Sequence, residues 1–148
     1  MTGASLANGS LAMTTTKRRS AATARAGARR SPCPVACALD LVGDRWTLLI
    51  VRDLLGGKKR YGDFLASSEK IPTNILADRL KRLEREGLIC SVPYRLHPPR
   101  VEYQLTPEGR ALGRAVEALA RWGTRHFPGT TRTVWPGAAS DEPEPTEP

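Results

Sequence analysis

The sequence is poor in aromatic side chains, in cysteine and in long apolar runs. Aromatics make up 5% of its 148 residues, so few large side chains are at hand to fill a core. Three cysteines are too few, and odd in number, for a disulfide scaffold of the secreted kind. The longest apolar runs, Val35 to Leu39 and Leu48 to Val51, fall far short of the ~18 residues of a membrane span. No apolar core of about 7–15 residues follows the N-terminal bases, so no secretory signal is read. A Gly-rich phosphate loop, a metal-ligand cluster and a nucleophile–base signature are all missing. The expectation is a cytoplasmic, non-enzymatic protein with no cofactor and no metal.

What the chain does have is positive charge. Its formal net charge is +8 and its pI is near 10. Such a field suits a polyanionic partner without proving one. The charge is unevenly spread. Residues 1–31 carry six bases (Lys17, Arg18, Arg19, Arg25, Arg29, Arg30), no acid and no aromatic. That segment reads as a disordered basic arm, since it cannot bury enough apolar area to offset its ordering entropy. An organelle transit peptide has a similar composition, but no large apolar helix face accompanies it. Residues 128–148 hold five prolines, Asp141, Glu142, Glu144 and Glu147, and read as a disordered acidic tail. Between them, residues 32–127 carry a net +5 and seven of the eight aromatics, which is one small domain.

Within that domain Leu39, Val42, Trp46, Leu49 and Ile50 follow helical spacing, with a break expected at Gly43-Asp44 and Asp44 capping a second helix to Leu55. Gly56-Gly57 stops it, and Lys58-Lys59-Arg60 forms a basic connector. Tyr61 to Ala66 reads as a short helix. A turn follows, and Pro72 suits the start of a helix over Thr73 to Glu86, in which Leu76, Leu80 and Leu83 share one face. Two strands are expected, over Leu88–Pro93 and Val101–Leu105, with Leu88, Cys90 and Val92 on the buried parity. Tyr94 to Arg100 reads as a long basic tip that cannot be regular strand. Thr106-Pro107-Glu108 opens one long helix to about Phe127, carrying Leu112, Val116, Leu119 and Trp122.

A short helix, a turn, a second helix and a two-stranded hairpin make a winged helix-turn-helix, a mostly α fold with a small β-hairpin. Double-stranded DNA is the partner this order suggests. With the leucines inward, the opposite face of the Thr73–Glu86 helix carries Asn74, Asp78, Lys81, Arg82 and Arg85. Thr73, Asn74, Asp78, Lys81 and Arg82 are candidates for the groove, where Asn can pair with adenine and Arg with guanine. Lys81 and Arg85, further along, also suit phosphates. Asp78 fits least well, because a carboxylate repels phosphate. Arg95, His97 and Arg100 would place charge at the hairpin tip, and Lys58, Lys59 and Arg60 would add phosphate contacts. The bland alternative is a solvated helix whose bases pair with Glu84 and Glu86. A winged-helix protein–protein module without DNA readout is the rival from another class.

Several motifs resemble those of HxlR-type transcriptional regulators. Cys33-Pro34-Val35 and the run from Leu39 to Ile50 resemble the opening signature. Arg60-Tyr61-Gly62-Asp63-Phe64 looks like the motif before the reading helix. Ile71-Pro72-Thr73-Asn74-Ile75-Leu76, Arg79-Leu80, Leu83-Glu84 and Gly87-Leu88-Ile89 resemble the reading helix itself. Pro99 to Pro107 with Gly109 resembles the wing-to-helix signature. The likeness spans Cys33 to Trp122. It implies a homodimeric DNA-binding regulator, expected to act as a repressor on a near-palindromic operator within the nucleoid. It also implies a dimer built by the first and last helices, here through Leu39, Trp46, Leu112, Val116, Leu119 and Trp122. Cys33 resembles a cysteine that in some members senses oxidants or electrophiles, and nearby Arg29 and Arg30 would favour its thiolate. Cys37 and Cys90 are expected in the core.

Overall fold

The computed structural model describes residues 30–131. The expected basic arm and acidic tail therefore lie outside the described residues, save for residues 30–31 and 128–131. The chain divides into two units, residues 1–40 and 41–148. Helix α1, Pro34–Val42, begins in the first and ends in the second. Pro34 opens it, where a missing N–H is harmless. Ser31 Oγ accepts the Cys33 N–H at 3.1 Å, and the Cys37 thiol donates to the Ser31 carbonyl at 3.2 Å. Arg30 pairs with Asp40 at 2.5 Å.

In the second unit, α2 spans Thr47–Leu55, α3 Tyr61–Leu65 and α4 Thr73–Arg85. Strands β1, Ile89–Arg95, and β2, Arg100–Leu105, form an antiparallel hairpin. Helices α5, Pro107–Ala111, and α6, Gly113–His126, follow. The expected break after α1 is present. Asp44 accepts the N–H groups of Trp46 and Thr47 at 2.9 and 3.1 Å, satisfying donors that the first turn of α2 cannot pair internally.

The core is assembled from one face of each element. Ile50, Val51 and Leu54 of α2 meet Phe64 of α3, Leu76, Leu80 and Leu83 of α4, Ile89 and Leu105 of the hairpin, and Val116 of α6. The three α4 leucines are at most 2% exposed, so the inward face read from their spacing is the inward face observed. Asp53 is also buried, and is held by Arg52 at 2.7 Å, by Lys58 at 3.1 Å and by the Ser67 hydroxyl. Arg52 reaches on to Glu69 at 2.8 Å, so α2 is tied to the turn that leads into α4. The Arg52 guanidinium holds the Glu69 carboxyl down at about 2.

Three expectations are corrected. The last helix is two helices. Thr106 caps the first through the Gly109 N–H, and Leu112 donates back to Gly109 in a tight closing turn. Gly109 is buried there, and a Cβ on it would lie 2.0 Å from the Leu88 carbonyl oxygen. Second, the strands run to Arg95 and Arg100, so the tip shrinks to residues 96–99. Pro93 is tolerated within β1 because its position faces the outer edge, where no strand needs its N–H. Third, Cys90 is exposed. Leu88 is buried in the turn before the strand, so the inward parity starts at Ile89 and the side chain of Cys90 turns out. Cys37 is only half-buried.

Both edges of the hairpin are occupied. The Tyr103 N–H donates to the Lys59 carbonyl at 2.7 Å, which lays the α2–α3 connector along β2. On the other edge the Glu84 carboxylate accepts the Ser91 N–H at 3.1 Å and the Ser91 hydroxyl at 2.6 Å.

Candidate nucleic-acid interface

Helix α4 separates its two faces sharply. Leu76, Leu80 and Leu83 are buried, whereas Thr73, Asn74, Asp78, Lys81 and Arg85 are exposed and Arg82 is half-buried. The Tyr61 hydroxyl donates to the Thr73 carbonyl at 2.7 Å and pins the first turn of α4 to α3. Pro72 precedes the helix in an extended conformation, and no side chain caps its N-terminus. Its first N–H groups and the positive end of its dipole are thus presented beside Thr73 and Asn74.

Arg79 fixes the rotation of α4. Its Nε donates to Asp44 at 3.0 Å, and a terminal nitrogen pairs with Asp78. Burial would raise the Asp44 carboxyl, but the Thr47 hydroxyl, the Trp46 N–H, Arg79 and the Thr47 N–H outweigh it and hold the group at about 2. Asp78, the least suitable groove candidate, is therefore partly neutralised by its neighbour. Arg79 stood outside the expected site. Nothing local in sequence pairs it with Asp44, because the two lie 35 residues apart.

The connector bases diverge. Lys58 turns inward and donates to Asp53 and the Ser67 hydroxyl, so in this structure its ammonium joins the core network. Lys59 is exposed. Arg60 donates to Glu102 of β2 at 3.0 Å and lies 4.4 Å from the centroid of the Tyr94 ring on β1. At the tip, Arg95, His97 and Arg100 are all exposed, and Arg95 Nε donates to the His97 carbonyl at 3.1 Å. The structure thus brings one face of α4 and a basic wing tip to the surface. Among the described residues no group of three or more His, Cys, Asp or Glu could hold a metal ion. No described helix is long and apolar enough to cross a membrane.

The residues expected at a dimer contact also divide. Val116 is buried, and Trp46 and Leu112 pack half-buried against the core of their own chain. Leu39, Leu119 and Trp122 are more than half exposed. Trp122 stacks on His126 at 4.3 Å and meets Phe127 edge-on at 5.7 Å. Leu119 also lines a half-open groove of about 300 Å³, together with Leu48 and Leu49 of α2 and Val116 and Ala120 of α6. Cys33 is exposed, while the Arg30 expected to favour its thiolate is engaged with Asp40.

This arrangement has known counterparts. The HTH-type transcriptional regulator Rv3095 of Mycobacterium tuberculosis is 46% identical over 91 residues, which cover 62% of this chain and 57% of that protein. The chain thus spans little more than half the length of that relative. Among solved structures, PA1607, described as a transcription factor, matches with a TM-score of 0.63 and 38% identity over 78% of this chain and 82% of its own. The redox regulator HypR in its oxidised form matches with a TM-score of 0.59 and 33% identity, over 69% of this chain and all of its own. The family model for HxlR-like helix-turn-helix proteins matches residues 41–131, and the chain belongs to that family.

Proposed function

We propose that the protein is a sequence-specific, double-stranded-DNA-binding transcriptional repressor that acts as a homodimer on a near-palindromic operator. The observation that carries this reading is α4: three buried leucines hold it to the core and turn Thr73, Asn74, Asp78 and Lys81 outward, with Arg82 half-buried beside them. In this reading Thr73 and Asn74 meet base edges, and the uncapped helix N-terminus meets a phosphate. Arg85 and Lys59 meet the backbone, and Arg95, His97 and Arg100 follow the adjacent groove. The exposed Leu39, Leu119 and Trp122 supply the dimer contact, and two-fold symmetry sets the reading helices about one DNA turn, ~34 Å, apart.

Selection from a random duplex pool by the purified protein, followed by titration at several salt concentrations, tests the reading. Asn74→Ala is expected to weaken the selected duplex by about 1–3 kcal/mol and leave non-selected DNA unchanged. Arg85→Ala is expected to weaken both equally and to flatten the salt slope by about one. Failure to enrich any sequence, or binding indifferent to salt, would favour a protein–protein module.

A redox input through Cys33 is part of the same proposal. It is supported by the exposure of Cys33 and by the likeness to HypR, whose oxidised and reduced forms both match this chain. Oxidant or quinone treatment is expected to change operator binding by wild type and not by Cys33→Ser. Equal responses of the two proteins would remove Cys33 from the mechanism.

A further inference from the structure

Arg60 stands at the head of α3, and its guanidinium is committed in two directions. Nε donates to Glu102 Oε1 at 3.0 Å, and the guanidinium carbon lies 4.4 Å from the Tyr94 ring centroid. Glu102 belongs to β2 and Tyr94 to β1, so one side chain from the helix-turn-helix grips both strands of the hairpin. The backbone that carries Arg60 is itself fixed. The Asp63 carboxylate accepts the N–H groups of Arg60 and Lys59 at 2.9 and 3.2 Å, and the Lys59 carbonyl accepts the Tyr103 N–H.

We propose that Arg60 is a wing-positioning residue, which sets the hairpin against the reading helix through Glu102 and Tyr94 instead of meeting a phosphate. The inference rests on the DNA-binding reading and refines it. A phosphate drawn to Arg60 would also meet the Glu102 carboxylate on the same guanidinium, and like charges repel. The guanidinium also lies over the Tyr94 ring, a cation–π contact that draws it towards β1 and away from a phosphate. Arg95 and Arg100 end the strands that Arg60 holds and His97 lies in the tip between them, so a loose hairpin would carry all three off their contacts.

The two roles predict opposite results for Glu102→Gln. If Arg60 met phosphate, the substitution would release the arginine and remove a repelling charge, and affinity would hold or rise. If Arg60 positions the wing, affinity for the selected duplex falls. The test uses the full chain, a duplex selected from a random pool by wild type, and a non-selected duplex. Glu102→Gln and Tyr94→Ala are each expected to lower affinity for the selected duplex about two- to fivefold. Tyr94→Phe, which keeps the ring, is expected to bind as wild type does. Arg60→Ala with Glu102→Gln is expected to bind no worse than Arg60→Ala alone, since the two act as a unit. Amide hydrogen exchange across residues 89–105, read without DNA, is expected to quicken in Arg60→Ala while thermal unfolding stays cooperative. Unchanged exchange, or Glu102→Gln binding as tightly as wild type, overturns the proposal. A wild-type protein that selects no duplex instead overturns the DNA reading, and the exchange measurement still decides whether Arg60 holds the hairpin.

Discussion

Replacing Asp44 by Asn removes a charge while keeping the shape and an oxygen that can still accept from the Trp46 and Thr47 N–H groups. The substitution therefore imitates the protonated carboxyl. The carboxyl is held at about 2 in place of its ordinary 3.8, which corresponds to about 2 kcal/mol of stability from the ionised form. The folded value is the lower one, so the stabilisation is complete above pH 3.8 and is lost as the pH falls from there to about 2. Asp44→Asn is expected to be less stable than wild type by about 2 kcal/mol at pH 7, a shift of roughly 1 M in the urea midpoint. The gap between the two should close towards pH 2. Urea titrations at fixed protein concentration, followed by circular dichroism from pH 7 to pH 2, measure it directly. A constant concentration is needed because self-association would add to apparent stability. A gap that is the same at both ends of the range would refute the assignment of this stability to the ionised carboxylate. High salt should narrow the gap only in part, because the Thr47 and backbone hydrogen bonds do not depend on a distant charge.

Other substitutions test the packing and the cysteines. Gly109→Ala places a Cβ 2.0 Å from the Leu88 backbone oxygen, so it is expected to destabilise by at least about 2 kcal/mol, and near-wild-type unfolding would contradict that close approach. Leu80→Ala empties a site that is 2% exposed and should lose about 2–5 kcal/mol in chemical denaturation, whereas Lys81→Ala on the opposite face should change stability by under about 0.5 kcal/mol. Iodoacetamide should label Cys33 and Cys90 faster than Cys37, whose half-buried thiol donates to the Ser31 carbonyl; equal rates by mass spectrometry would be inconsistent with these positions.

The elements that were legible in the sequence are those defined by local spacing. The heptad-like leucines of α4, the capping Asp44, the proline before α4 and the Thr106-Pro107 start of α5 each announce themselves within a few residues. The strands were legible in place but not in extent, because Pro93 looks like a stop until the outer edge of β1 is known to have no strand beside it. The parity of β1 was misread at Cys90 since Leu88 is buried by the turn and not by the strand. The break at Leu112 was hidden because the Thr106-Pro107 start lies only about a turn and a half ahead of the apolar spacing that begins at Leu112, and the two read as one helix. In the candidate site, the exposure of Thr73, Asn74, Lys81 and Arg85 follows from helical geometry. The separate fates of Lys58, Lys59 and Arg60 do not. Their partners are Asp53 and Ser67 for the first and Glu102 with Tyr94 for the last, and side chains brought together by tertiary folding leave no spacing signal.

The occupied edges of the hairpin bear on how copies of this chain can meet. Short sheets with open edges are templates on which further strands polymerise. Here the connector fills the β2 edge, and on the β1 edge Glu84 takes the Ser91 donor while Pro93 has none to offer. An incoming strand would find a carboxylate where it needs a hydrogen and a ring where it needs another. These contacts oppose growth by strand addition in a protein that exposes several apolar side chains elsewhere. If copies of the chain meet as proposed, the contact falls to the exposed helical side chains, where it can close on itself and stop, and not to the sheet, where it would propagate into fibrils.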